Sequence, residues 1–276
     1  MALSLGIVGL PNVGKSTLFQ ALTKKEVNVA NYPFATIDPN VGVVQVPDER
    51  LVKLAQLFQS QKTIPTVVEF VDIAGLVKGA NKGEGLGNQF LAHIREVDAI
   101  CQVVRCFENK EIIHVEDSVD PVRDIDTILV ELSLKDLETI ERRSESIEKE
   151  VRSQKKEAVV EHGVLQDLKS LLSRGASLVE YFIEHPEAAE LIRHLQLLRV
   201  KPLLYLLNAT RGQVKKQVLE KVEQLGSPVV VLDIKEEFEL RGLSNEELQE
   251  LAAHPKIEEL IRKSYETLNL ITFFTA

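Results

Sequence analysis

Short apolar runs alternate with longer amphipathic stretches over most of this chain. Leu3–Val8, Val41–Val46, Val67–Val71, Ala99–Val104, Leu203–Leu207 and Val229–Leu232 are brief, rich in Val, Ile and Leu, and predict strands. Helical spacing predicts helices at Lys15–Leu22, Glu49–Phe58, Gly87–Val97, Val214–Leu225 and Asn245–Ala253. Strands alternating with helices in this order predict an α/β fold, a mostly parallel sheet covered on both faces.

The middle of the chain reads differently. Nine of the fourteen glycines fall at or before Gly87, and no proline occurs between Pro121 and Pro186. A stretch so free of breakers and rich in Glu, Lys, Arg and Leu predicts long helices. Leu137, Ile140, Ser144, Ile147 and Val151 follow steps of three and four, as do Leu165, Leu168, Leu172, Gly175, Val179 and Phe182. Joined by the polar stretch 152–157, the two stripes predict an antiparallel α-helical coiled-coil hairpin with arms of roughly 25 residues, about 35–40 Å long. The hairpin, expected at 124–199, interrupts one α/β domain made of 1–123 and 200–267. The last apolar residues, 268–276, read as the opening strand of a further unit.

Chemistry enters at Gly9-Leu-Pro-Asn-Val-Gly14-Lys15-Ser16, a G-x-x-x-x-G-K-[ST] phosphate loop. It stands between a predicted strand and a predicted helix, the order the motif requires, because a helix N-terminus itself attracts phosphate. Backbone N–H groups of Asn12, Val13, Gly14, Lys15, Ser16 and Thr17 are the expected phosphate cradle. Lys15 is expected on the β- and γ-phosphates, and the Ser16 hydroxyl on Mg²⁺. Asn12 is also a candidate for helping to hold a monovalent cation such as K⁺.

Two further segments suit a switch. Asp72-Ile-Ala-Gly75 follows the strand Val67–Val71 as a D-x-x-G pattern. Its aspartate suits Mg²⁺, usually through water, and its glycine N–H suits the γ-phosphate. Thr36, in the Pro-containing loop 31–40, offers the metal a second hydroxyl. Gly79, Gly83, Gly85 and Gly87 then make a loop able to change conformation when the γ-phosphate leaves. Leu76 stands where GTPases like Ras carry a water-orienting glutamine. Leucine cannot orient water, so another group or a partner must, and His114 is one candidate. For the base, Asn208 survives from an Asn-Lys-x-Asp pattern, but Arg211 is donor-only and cannot accept the guanine N–H protons. Asp233-Ile-Lys235 occupies the second base-contacting loop.

Composition narrows the partners. A formal net charge of −9 argues against broad nonspecific binding to nucleic acid. Cys101 and Cys106 lie in or beside an apolar run and predict free thiols, with no disulfide. No segment approaches the roughly 20 apolar residues of a membrane span. The expectation is a cytoplasmic monomer.

Taken together, these segments resemble the YchF-type Obg-like ATPases, within the Obg branch of translation-factor-related P-loop NTPases. The resemblance rests on Gly9–Thr17, Asn31–Asn40, Asp72–Gly79, Gly83–Phe90, Ser118–Ile125 and Thr272–Ala276. It implies a Ras-like P-loop domain interrupted by a helical hairpin, then a TGS domain of which 268–276 would be the first strand. It implies Mg²⁺-dependent hydrolysis of ATP, often in preference to GTP, and association with the ribosome or its large subunit. It also implies a catalytic part for His114 beside Lys15. Two alternatives stay open: a GTP-specific ribosome-assembly factor, and a non-hydrolysing nucleotide-binding scaffold acting through its coiled coil.

Overall fold

The computed structural model describes residues 3–23, 40–73, 93–109, 118–210, 212–250 and 255–275. It divides into two compact units, one drawn from 1–78, 96–124 and 202–276, the other from 79–95 and 125–201.

The first unit is built on a six-stranded sheet. Its strands are β1 (Ser4–Val8), β2 (Val41–Gln45), β3 (Val67–Asp72), β4 (Ala99–Arg105), β5 (Leu203–Asn208) and β6 (Val229–Leu232). They lie in the order β2-β3-β1-β4-β5-β6. Every neighbouring pair is parallel except β2 with β3, an antiparallel edge of a kind often carried by such sheets. Burial follows that placement. All of β4, near the middle, is buried, whereas edge strand β2 alternates between buried and partly exposed positions. A strand covered on both faces favours apolar residues at every step, and Ala99–Val104 is apolar throughout except for the buried Gln102.

Helices α1 (Lys15–Thr23) and α2 (Glu49–Leu57) follow β1 and β2. The Asp48 carboxylate caps α2 by accepting from Arg50 N at 2.9 Å. A single helical turn at 93–96 is the described part of the helix expected to end at Val97. After β5 come α7 (Lys216–Gln224), then α8 (Ile234–Leu240), α9 (Asn245–Glu250) and α10 (Ile257–Thr267). In this unit α1 packs against α8 and β2, while α10 packs against β5, β6 and β3.

The second unit is helical. Helix α3 (Pro121–Arg152) runs for 32 residues, about 48 Å at 1.5 Å per residue, and begins in the first unit. Its start is fixed by the Asp120 carboxylate, which accepts from Val122 N and Arg123 N, with Pro121 opening the first turn. The chain turns at 153–155 and returns as α4 (Lys156–Ser173). Ile140 and Ile147 of α3 meet Leu165, Leu168 and Leu172 of α4 in a buried core. Arg143 adds a two-pronged contact to Glu161 at 2.7 and 2.8 Å.

The second expected stripe does not form one arm. Leu165, Leu168 and Leu172 lie on α4, but Gly175 stops it in a left-handed conformation (φ +69°). Gly175 N donates to Leu172 O and Ala176 N to Leu171 O, both at 3.0 Å, the paired bonds of a Schellman ending. Ser177 then caps a new short helix, α5 (Leu178–Glu184), which carries Val179 and Phe182 and is followed by α6 (Pro186–Ile192). Leu178, Ile192, Leu195 and Leu197 close over the α3–α4 core. The α4 arm is therefore 18 residues long, backed by a second helical layer.

The strand expected at 268–276 is unpaired over its described residues. Among its described residues Asn269 turns left-handed (φ +55°), and 270–275 carry no strand pairing. The alternation is real: Ile271 and Phe273 are 88% and 81% exposed, while Phe274 lies under the Arg50 guanidinium. A strand needs a ladder partner, and none of the described residues supplies one. Among the described residues no helix is long and apolar enough to cross a membrane. Cys101 and Cys106 are free thiols.

Candidate functional site

The carboxyl ends of the parallel strands gather the residues that the sequence separated. β1 ends at Val8 and enters the loop 9–14; β3 ends at Asp72, β5 at Asn208, and β6 is followed by Asp233. The chain leaves β1 toward β3 on one side and leaves β4 toward β5 on the other. Ligands of open α/β sheets bind at such a reversal.

The loop is tightly determined. Asn12 sits exposed at its tip with φ +62°, Val13 is buried, and Gly14 adopts φ +107°. A Cβ on Gly14 would stand 2.8 Å from Asn208 Nδ2, so only glycine leaves room for that amide. Helix α1 begins at Lys15, with Leu18 N donating to Gly14 O at 2.9 Å. Ser16 is exposed and Thr17 half-buried on its first turn. The first N–H groups of a helix lack helical acceptors, and such a helix start is the arrangement that binds phosphate.

Lys15 folds over this loop. Its Nζ donates to Gly9 O at 3.0 Å and Leu10 O at 2.9 Å. Burial pulls the ammonium below the ordinary lysine range, and the Asp72 carboxylate opposes that pull. Asp72 shows the converse: burial pushes its carboxyl up while Lys15 holds it down. The two opposite charges thus act on each other at the carboxyl ends of β1 and β3.

Asn208 is buried, and its amide joins three parts of the site. Nδ2 donates to Val13 O at 2.8 Å, and Oδ1 accepts from Ile234 N at 3.1 Å. Asp233 accepts from Lys235 N, Glu236 N and Thr210 Oγ1, each at 3.1 Å, and so caps α8. Thr36, Gly75, Leu76, His114 and Arg211 lie outside the described residues.

Comparison with known proteins agrees with this arrangement. A family model described as 50S ribosome-binding GTPase matches residues 4–160. The Ribosome-binding ATPase YchF of Bacillus subtilis strain 168 is 47% identical over all of this chain and 79% of its own length. The chain belongs to the YchF family. The YchF protein of Escherichia coli O157:H7 is likewise 47% identical, over all of the chain and 78% of its own length. The structure of a Schizosaccharomyces pombe YchF GTPase superposes with a TM-score of 0.79 at 36% identity, covering 99% of this chain and 78% of that one. The P-loop α/β fold with a helical hairpin is therefore that of YchF proteins.

Sequence reasoning took Asn208 for a base contact and did not foresee its clamp on the YchF phosphate loop. The 195 residues between Asn208 and Val13 left no local signal. Arg105, buried at the end of β4, was also missed, because an arginine closing an apolar run looks like its polar boundary.

Proposed function

We propose that this chain is a slow Mg²⁺-dependent nucleoside triphosphatase switch that prefers ATP and works at the ribosome. The observation carrying this reading is the Lys15 ammonium, held at the loop mouth by Gly9 O and Leu10 O and set against Asp72. Two of its three protons are engaged and the third is left for phosphate oxygen. Catalysis in this reading comes from positioning and charge neutralisation by Lys15 and the N–H groups of 12–17, without covalent chemistry.

The donor set suits Mg²⁺, a hard cation that favours oxygen ligands. Ser16 and Asp72, with Thr36, would hold it, and the desolvation that raises the Asp72 pKa is relieved by a cation. When bound, the ion neutralises charge on the phosphate oxygens. Asn12 at the loop tip is the residue we assign to a K⁺ contact. His114 is the residue we assign to orienting water, since Leu76 cannot.

The loop after β6 supports ATP over GTP. Guanine O6 needs a donor, yet the N–H groups of Ile234, Lys235 and Glu236 all have acceptors within the chain. Adenine presents an amino donor there and makes no such demand. The bacterial relatives are named ribosome-binding ATPases, which supports both the nucleotide and the partner. In this reading 1–123 and 200–267 bind nucleotide, and the 124–199 insertion carries the signal, in a cytoplasmic monomer.

Phosphate release with Mg²⁺ and either ATP or GTP tests the proposal. Turnover of ATP that exceeds GTP and is abolished by Lys15→Ala is expected. Turnover at background, unchanged by that substitution, would favour a non-hydrolysing scaffold. Co-sedimentation with ribosomes tests the partner, and its absence in every nucleotide state would remove that part.

A further inference from the structure

Three successive backbone donors of the turn after β6 are already engaged. Ile234 N donates to Asn208 Oδ1, while Lys235 N and Glu236 N both donate to Asp233 Oδ1, each at 3.1 Å. Asp233 Oδ2 accepts from Thr210 Oγ1, also at 3.1 Å. Ala209 N donates to Leu232 O at 3.1 Å, a further tie between the chain leaving β5 and the chain leaving β6.

This turn adjoins the phosphate loop. The Asn208 amide that accepts from Ile234 N donates to Val13 O at 2.8 Å. Ile234 Cδ1 lies 3.2 Å from where a Cβ on Gly14 would stand, and α1 packs against α8. Ligands of open α/β sheets lie outside the carboxyl ends of the strands. A nucleotide with its phosphates on 12–17 then meets this turn with its base, the contact expected of 233–235 from the sequence.

Capping alone does not call for a charge at 233. An Asn, Ser or Thr side chain caps a helix as Asp does, through an accepting oxygen. A carboxylate differs in having no donor and about four lone-pair sites. Lys235 N, Glu236 N and Thr210 Oγ1 occupy three, and the site left on Oδ2 has no partner among the described residues. Asp233 is half-buried, so that site is within reach of a ligand. Adenine carries an amino donor at position 6, and guanine a carbonyl acceptor. A carboxylate oxygen accepts from the amino group and repels the carbonyl. The N–H groups that could serve the carbonyl are occupied by Asp233 and Asn208.

We infer that Asp233 is the specificity-determining residue of the nucleotide site, accepting from the 6-amino group of adenine and excluding 6-oxo purines. The inference rests on the nucleotide reading above and names the group that makes its choice of base. A site built to pair one hydrogen-bonding group rejects the analogue lacking it more strongly than an apolar pocket does.

The test measures equilibrium binding of ATP, GTP and inosine triphosphate (ITP), with Mg²⁺, to wild type, Asp233→Asn and Thr210→Val, and urea unfolding of each. ITP has the 6-oxo group of GTP but not its 2-amino group. Wild type should bind ATP about tenfold or more tighter than either ITP or GTP. Asp233→Asn keeps an accepting oxygen for the cap and gains an NH2 donor, so its unfolding midpoint should stay close to wild type. It should weaken ATP, strengthen ITP and shift the ATP-to-ITP ratio by about tenfold or more. Thr210→Val frees another site on Oδ2 and should keep the preference for ATP. An unchanged ratio in folded Asp233→Asn overturns the inference, as does a loss shared in proportion by all three nucleotides, which a purely structural cap would give. ITP bound by wild type as tightly as ATP overturns it too, since the choice would not then be made at position 6. Should Asp233→Asn not fold, Asp233→Ser carries the same comparison, its hydroxyl capping without charge and narrowing the ratio. Wild type that binds none of the three removes the nucleotide reading itself, a separate outcome that takes this inference with it.

Discussion

Asn208 Nδ2 donates to the Val13 carbonyl at 2.8 Å, tying the end of β5 to the phosphate loop across 195 residues of sequence. The same amide accepts from Ile234 N, so one side chain sets the spacing of three loops. Asn208→Leu conserves volume but leaves the Val13 carbonyl and the Ile234 N–H without their partner. Each such group costs about 1–3 kcal/mol, so a loss of about 2–6 kcal/mol is expected in urea unfolding. Nucleotide affinity should fall as well, because the loop loses its anchor. A variant as stable as wild type would show that the clamp is not needed to hold the loop.

Gly14 depends on the same amide. A methyl group there meets Asn208 Nδ2 at 2.8 Å, and the amide is pinned at both ends and cannot withdraw. The φ of +107° adds backbone strain of about 1–3 kcal/mol for any other residue. Gly14→Ala should therefore lower stability and weaken ATP binding together, by calorimetry and by titration. The double variant Gly14→Ala/Asn208→Ala should recover part of the stability lost to crowding. Failure to recover any of it would place the cost in the backbone alone.

The parts legible in the sequence were those written locally. Six apolar runs became six strands, and the phosphate loop and Asp72 each stand at a strand end that neighbouring residues announce. The helical stripe after Leu165 misled because period alone cannot distinguish a heptad position from a stop. Arg174-Gly175-Ala176-Ser177 holds a helix ending and a new cap within four residues, and Gly175 happened to fall on the stripe. The clamp made by Asn208, the burial of Arg105 and the ties of Asp136 were illegible for another reason. Each acts through partners set by tertiary packing, such as the 62 residues that separate Asp136 from Leu198.

Asp136 gives the helical unit a pH dependence of its own. Its carboxylate accepts from Leu198 N at 2.8 Å and Arg199 N at 2.7 Å, binding a turn near the unit's end to the middle of α3. Burial nonetheless pushes its pKa up to about 6, against the pull of those bonds and of Arg199 and Arg95. An unfolded aspartate titrates at about 3.9. Between these values the folded protein holds more protons than the unfolded, so stability falls as pH rises from about 4 to 6 and then levels off. The change attributable to this group is on the order of 2–3 kcal/mol. Asp136→Asn should flatten that window in urea titrations of stability at successive pH values. An unchanged slope would assign the dependence to other groups.

Lys15 and Asp72 hold each other's titration in place, and separating them is informative without any nucleotide. Desolvation lowers the Lys15 pKa, and the Asp72 charge partly restores it. Asp72→Asn removes only the restoring charge, so the ammonium should lose its proton at a lower pH than in wild type. Lys15→Met removes the cation that restrains Asp72, whose carboxyl should then titrate higher still. NMR titration of the lysine Nζ and aspartate carboxyl signals in nucleotide-free protein reads both shifts. A triphosphate is attracted by the protonated lysine alone, so the alkaline limb of ATP affinity should move to lower pH in Asp72→Asn. A Lys15 titration that stays put or rises in Asp72→Asn would mean that the two charges do not face one another across the loop.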